Sequence, residues 1–401
     1  MNQPAKITTD KATSSTLLER LQDILPTIAA NAIEAEQLRK VPHENIRLLK
    51  DVGFTRAFQP KKYGGLEISL AEFGECVATL AGACASTAWA ASLLNTHSHQ
   101  LALFSAQVQE EVWGQDPEAT LSSSVAPFGK IEEVDGGIML SGDLTWSSGC
   151  DHAEWAIMGF IRAGSEVNPE PHTHFAIVPR SDYSILDDWD ACAMKGSGTK
   201  TLQVRGVFVP NHRIESAMGL MTGKSSGYGL YPDSKIFFAP YRPYFACGFS
   251  AIGLGIAERM VEWFIVRSKT RVRAYTLSEV GKDTPAYMRL AESKHQINAA
   301  RALLEKDWNE LSEQSAKQVL PSTDQITHWR TNQAYATKMC IKAVDRLFES
   351  SGANAWFNSN EAQRLFRDSH MTGAHAYTDY DVCTQIYGRH LIGLEPDSRL
   401  A

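Results

Sequence analysis

Leu17, Leu21, Ile24, Leu25 and Ile28 recur at three- and four-residue intervals, the spacing that lines one face of an α-helix. The stretch from Ile68 to Leu94 is rich in Ala and Leu, with small residues suited to close helix packing, and Tyr63-Gly64-Gly65 before it predicts a loop. Past residue 115 the pattern shortens. Gly136-Gly137 and Ser141-Gly142-Asp143 punctuate brief apolar runs at Ile138–Leu140, Trp155–Phe160, Phe175–Val178 and Leu202–Val209, the last closed by Pro210, and these predict strands. The polar piece Gly164–His174, with two prolines, predicts a surface loop; Gly219–Asp233, with four glycines, predicts a mobile lid. Helical spacing returns from about Ile236. Leu290, Ile297 and Leu304 share a face with Ala300 and Leu303, a second long helix covers Trp329–Phe348 and stops near Gly352, and a third covers Glu361–Ala374. The chain therefore divides into a helical segment (1–115), a β segment (116–225) and a second helical segment (226–401), without internal repeats.

Charge and composition narrow the chemistry. The net charge is −7, from 39 basic and 46 acidic residues, which opposes a general nucleic-acid binder that must neutralise phosphates. Apolar runs such as Cys84–Leu94 end well short of the roughly 20 residues that cross a bilayer. No basic-then-apolar secretion signal is expected at the N-terminus. The seven cysteines are scattered, with no C-x-x-C pair, so neither a disulfide framework nor a zinc site is expected, and a reducing cytoplasm is the natural compartment. His370 and His375, five residues apart, do not share a helical face, which argues against a metal pair. No G-x-G-x-x-G follows a strand and no Walker motif occurs, so NAD(P)H binding through a Rossmann unit is not expected.

Several segments carry unusual chemistry: Thr87-Ala88-Trp89, Thr96-His97-Ser98-His99-Gln100, Ser122-Ser123-Ser124, Trp146-Ser147-Ser148-Gly149, Tyr241-Arg242-Pro243-Tyr244 and His370 to Asp381. Each has a plainer alternative. A serine in W-S-S-G can bond its own turn, Trp89 can be core, one of His97 and His99 can be a satisfied core histidine, and Arg242 can form an interdomain salt bridge.

The order of elements, with Trp146–Gly149, Lys195-Gly196-Ser197-Gly198-Thr199 leading to Val207-Phe208-Val209-Pro210, and Arg364-Leu365-Phe366-Arg367-Asp368, resembles the acyl-CoA dehydrogenase fold. That resemblance implies an α+β protein with an N-terminal helical domain, a middle β-barrel or sandwich domain and a C-terminal four-helix bundle. Those dehydrogenases usually place a Glu base in a Tyr-Glu-Gly-Thr turn after the late helix; here the stretch reads His375-Ala376-Tyr377-Thr378-Asp379-Tyr380, which weakens β-oxidation chemistry. The segments quoted above resemble more closely the flavin monooxygenases of this fold, the oxygenase components of two-component aromatic hydroxylases.

The resemblance implies reduced FMN, with reduced FAD possible, O2 as co-substrate, and a C4a-hydroperoxyflavin that hydroxylates a small aromatic acid. It also implies a separate NAD(P)H:flavin reductase and a homotetramer. The favoured substrate is p-hydroxyphenylacetate, giving 3,4-dihydroxyphenylacetate; indole-3-acetate or indole is the alternative. By the same likeness Ser148 lies beside flavin N5 and His375 on the oxygen side. His97 and Ser123 meet the substrate's phenol. Arg242, with Tyr377, meets its carboxylate. Trp89 and Trp146 pack at the flavin, and Arg271 and Arg273 reach the flavin of a neighbouring subunit, a surface ion pair being the alternative for each.

Overall fold

A computed structural model describes residues 15–164 and 172–394. The first helical segment holds α1 (Leu17–Ala30), α2 (Ala32–Leu38), α3 (His43–Asp51), α4 (Leu70–Ala83), α5 (Ala85–Ala102) and α6 (Ala106–Trp113). A capping box starts α1, where Thr16 and Glu19 satisfy each other's backbone N–H groups. Cys84 adopts an extended conformation and breaks the Ala-rich stretch into α4 and α5. All eighteen residues of α5 are buried, polar ones included, so this helix runs through the interior.

The β segment contains β1 (Leu121–Val134), β2 (Gly137–Ser147), β3 (Trp155–Arg162), β4 (His172–Pro179), β5 (Ser184–Leu186), β6 (Lys200–Pro210) and β7 (Ile214–Ser216). They form one seven-stranded sheet in the order β5-β6-β2-β1-β3-β4-β7. β1 pairs antiparallel with β2 and parallel with β3, with an irregularity between Ser124 and Gly129. The sequence pattern did not predict β1, because Ser122-Ser123-Ser124 has no apolar alternation. The predicted loop Gly164–His174 is only partly visible: residues 165–171 lie outside the described residues, and His172–His174 belong to β4.

The chain then forms α7 (Ala217–Thr222), α8 (Tyr241–Thr270), α9 (Thr284–Ala316), α10 (Thr323–Glu349), α11 (Glu361–Thr372) and α12 (Tyr380–Leu391). The sheet has its own core around Ile138, Leu140, Met158, Phe160, Val178 and Leu202. The two helical segments share a single larger core, in which α8 packs on α4, α5, α9 and α10. Close approach there depends on missing side chains: a Cβ on Gly255 of α8 would lie 2.0 Å from the Ala78 carbonyl oxygen of α4. Among the described residues, no helix is long and apolar enough to cross a membrane.

Candidate active site

α5, α8 and the turn after α11 meet the sheet around a cavity of about 570 Å³. Trp89, Ser123, Trp146, Ser148, Arg242, His375 and Tyr377 all line it. They come from α5, β1, β2 with the turn after it, α8 and the 373–379 turn, so folding gathers residues that lie far apart in the chain.

His97 sits just behind this wall, fully buried, its ring 5.8 Å from that of Phe245, which does line the cavity. Its Nδ1 lies 2.8 Å from the Leu121 carbonyl oxygen. A carbonyl only accepts, so Nδ1 carries the proton and Nε2 presents a lone pair. That Nε2 is buried with no protein partner among the described residues. Burial pushes the His97 pKa down to about 4, only partly opposed by the Leu121 hydrogen bond, so the ring is neutral near pH 7. His99, two residues on, points elsewhere: Nε2 donates to the Ile236 carbonyl at 3.0 Å and the ring stacks on Tyr244 at 3.9 Å. Neither lines the cavity: His97 packs against Phe245 of its wall, and His99 lies in the core.

His375 has the opposite tautomer. The Tyr377 backbone N–H donates to its Nδ1 at 3.2 Å, which leaves Nε2 to hold the proton. The ring stacks on Phe249 at 3.8 Å. Burial, reinforced by the nearby Arg330 charge, pushes its pKa down to about 3. One histidine therefore offers an acceptor and the other a donor, both uncharged. His370 is turned away to Asp345 at 2.9 Å.

On the β side, the Trp89 indole N–H donates to Ser148 Oγ at 3.0 Å. Ser148 Oγ lies 2.8 Å from Thr199 Oγ1, which lies 2.7 Å from Ser197 Oγ. Trp146 takes a left-handed backbone conformation (φ 66°) where the β2–β6 register shifts, and its ring stands 63% exposed at the rim. The 187–199 segment is pinned from α11: Asp368 accepts the Met194 backbone N–H at 2.6 Å, and Arg367 donates to the Cys192 carbonyl.

Arg242 is half-buried in an otherwise mainly apolar wall. Its Nε meets only the Tyr241 hydroxyl, at 3.4 Å, and no carboxylate lies within 4.0 Å among the described residues. The phenol groups of Tyr377 and Tyr241 beside it hold it firmly in the charged form. The interdomain ion pair considered for it is absent from this geometry. Phe245, one turn along α8, packs near Tyr377 (5.1 Å) and His375 (6.1 Å) and joins the cavity to His97.

The architecture agrees with known proteins. Residues 16–116 and 247–380 match the models for the acyl-CoA dehydrogenase N-terminal and C-terminal domains. The p-hydroxyphenylacetate 3-hydroxylase oxygenase component of Acinetobacter baumannii is 61% identical over 381 residues, covering 95% of this chain and 90% of that one. The chain belongs to the flavin-dependent monooxygenases, as an oxygenase subunit. The Mycobacterium tuberculosis flavin-dependent monooxygenase oxygenase subunit HsaA is 37% identical, covering 96% of this chain and 97% of its own. The crystal structure of 3-HSA hydroxylase from Rhodococcus sp. RHA1 superposes with a TM-score of 0.90 at 33% identity, covering 98% of this chain and all of that one.

The cavity suits the reduced flavin this family uses. Its volume falls within the roughly 300–1,000 Å³ of small-molecule sites. Trp89, Met194 and Phe245 supply apolar walls, and Ser148 and Thr199 supply hydroxyls; His97, with its buried Nε2 unpartnered among the described residues, is not among the lining residues and packs behind Phe245. One expectation is corrected. The Gly219–Asp233 segment is not a lid over this oxygenase's cavity: none of its residues lines it, and Gly227 packs so tightly on Leu103 and Phe104 that a Cβ would lie 2.1 Å from the Phe104 oxygen. Arg271 and Arg273, expected to reach a neighbouring subunit's flavin, do not line this chain's own cavity. They follow α8, whose thirty residues span about 45 Å; Arg271 donates to the Ser350 carbonyl and Arg273 pairs with Asp283. The sequence reading also missed contributors to the cavity wall: Ser197, Thr199, Phe245 and Arg330.

Proposed function

We propose that this oxygenase converts p-hydroxyphenylacetate, O2 and reduced flavin into 3,4-dihydroxyphenylacetate, water and oxidised flavin. The observation that carries this reading is the Arg242 guanidinium, charged and, among the described residues, without an acidic partner in the wall of the cavity. Such a group calls for a carboxylate from the ligand, and a planar guanidinium can hold one through two parallel hydrogen bonds. The 61% identity to an oxygenase named for this acid supports the same choice.

In this reading Arg242, with Tyr377, fixes the carboxylate and thereby the ring. His97 Nε2 and the Ser123 hydroxyl take the phenol end; drawing the phenolic proton toward Nε2 raises electron density at the ortho carbon, the position to be hydroxylated. Reduced flavin, when bound, activates O2 and supplies the oxygen atom. Ser148 and Trp89 hold its ring edge, and Trp146 covers the rim. His375, neutral with its proton on Nε2, keeps that proton available at the cavity. We favour FMN over FAD, delivered already reduced by a separate NAD(P)H:flavin reductase. The family fold supports a homotetramer in which Arg271 and Arg273 serve a neighbouring subunit's flavin. Seven free thiols suit a reducing cytoplasm.

Indole-3-acetate would also satisfy Arg242 but would leave His97 and Ser123 without a phenol, and neutral indole would use neither end. The test is product formation with these three compounds under saturating reduced FMN, together with Arg242→Ala. The variant should raise the apparent Kd for p-hydroxyphenylacetate by roughly 10- to 100-fold, the range for hydrogen bonds to a charged group, while sparing a neutral phenol of similar size. Equal weakening of both would make Arg242 a structural residue. Faster turnover of indole-3-acetate would move the assignment to that acid.

A further inference from the structure

The three hydroxyls at the edge of the cavity can be ordered by counting protons. Each hydroxyl has one hydrogen to give and two lone pairs to receive. The Trp89 indole N–H can only donate, so one Ser148 lone pair is filled from α5 at 3.0 Å. Ser148, Thr199 and Ser197 then form a chain with 2.8 and 2.7 Å links, which has two head-to-tail senses. If it ran from Ser148 toward Ser197, the last proton would sit on Ser197, which borders the cavity but has no solvent-accessible surface through which to reach a ligand, and whose Oγ meets no other acceptor among the described residues. If it runs from Ser197 through Thr199 to Ser148, every buried hydrogen has an acceptor. The remaining proton then belongs to Ser148, which keeps a little exposed surface on the cavity.

We infer that Thr199, oriented by Ser197, is a positioning residue that fills the second lone pair of Ser148, so that Ser148 faces the flavin as a hydrogen-bond donor and cannot act as a proton acceptor. This rests on the placement of Ser148 beside the flavin N5 edge proposed above. The consequence is chemical. A hydroxyl with both lone pairs occupied cannot take a proton from the reduced ring, and loss of that proton is a route by which activated oxygen escapes as hydrogen peroxide. A donor also favours the oxidised ring, whose N5 is an acceptor, over the reduced ring, whose N5 carries hydrogen.

The test is anaerobic and equilibrium binding of oxidised and of reduced FMN to the full-length protein, wild type against Thr199→Val, Thr199→Ser and Ser148→Ala. Thr199→Val keeps the shape and removes the hydroxyl. It should weaken oxidised FMN by roughly three- to tenfold, the range of one neutral hydrogen bond, leave reduced FMN within about twofold, and raise the peroxide fraction in turnover; Thr199→Ser should restore all three. Equal weakening of both redox forms would make Thr199 merely structural, and selective weakening of reduced FMN would reverse the sense of the chain. If Ser148→Ala shifts the oxidised-to-reduced preference but Thr199→Val does not, the chain is overturned and the placement of Ser148 stands. If Ser148→Ala shifts nothing, the placement itself fails.

Discussion

His97 and His375 are held neutral by the same force and given opposite tasks by their partners. Burial lowers both pKa values, to about 4 and about 3, from an ordinary value near 6.5. A carbonyl on Nδ1 then makes His97 an acceptor at Nε2, and a backbone N–H on Nδ1 makes His375 a donor at Nε2. Neither ring should gain a proton between pH 5 and 8. The kcat/KM profile for the aromatic acid should therefore show no inflection near pH 6.5 arising from these residues, and His375→Asn should lower the product-to-peroxide ratio without creating or abolishing one. An inflection near 6.5 that vanishes in His375→Asn would mean that an imidazolium forms in the cavity. Local sequence singled out Ser148, Arg242 and His97; the first two line the cavity, whereas His97 lies behind Phe245 of its wall. Thr199 lay inside a quoted motif and was still missed: its partner Ser148 is 51 positions away, and no spacing rule joins them. Phe245 was missed for a different reason, since an aromatic residue on a helix that is buried all round looks like any core residue.

Among the elements, α11 organises the site through contacts that no local pattern predicts. Its Arg367-Asp368 pair reaches the 187–199 segment 174 positions back, and the Asp368 carboxylate holds the N–H of Met194, a non-glycine residue in the left-handed region at φ 47°. Such a conformation persists only when its surroundings enforce it. Asp368→Ala should cost about 1–3 kcal/mol of stability, the penalty for a buried donor left unsatisfied, and should weaken flavin binding by releasing Met194, Ser197 and Thr199 together. Asp368→Asn, which keeps an acceptor oxygen, should do less of both. Urea unfolding and flavin titration check this, and unchanged flavin affinity in the alanine variant would detach the segment from the site. The long helices were legible from apolar periodicity and their caps. β1 was hidden by three successive serines that turn out to be buried, and α12 had too short and mixed a pattern to be read.

For the molecule as a whole, the buried titratable groups set how stability responds to acid. His97, His99 and His152 have pKa values near 4, and His375 near 3. Their unfolded forms take up protons first as pH falls below about 6.5, so the stability they contribute is present above that pH and is lost between about 6.5 and 4. Asp307 and Asp368 oppose them: burial raises both to about 6, so the folded form binds protons first and gains stability as pH falls from 6 toward 4. Each group changes stability by at most about 1.4 kcal/mol per pH unit, and the four histidines outweigh the two carboxylates by on the order of 2–3 kcal/mol per unit near pH 5. Urea midpoints should thus fall from pH 6.5 to pH 5. Between pH 6.5 and 6 the four histidines already outweigh the two carboxylates, which offset only part of their effect, so the decline should begin there. His99→Phe separates this from an effect of the active site, because His99 stacks on Tyr244 and does not line the cavity. It should flatten the decline while leaving the pH profile of turnover in place. A midpoint that holds steady or rises on acidification would mean that the buried carboxylates, and not the histidines, dominate the acid response of the fold.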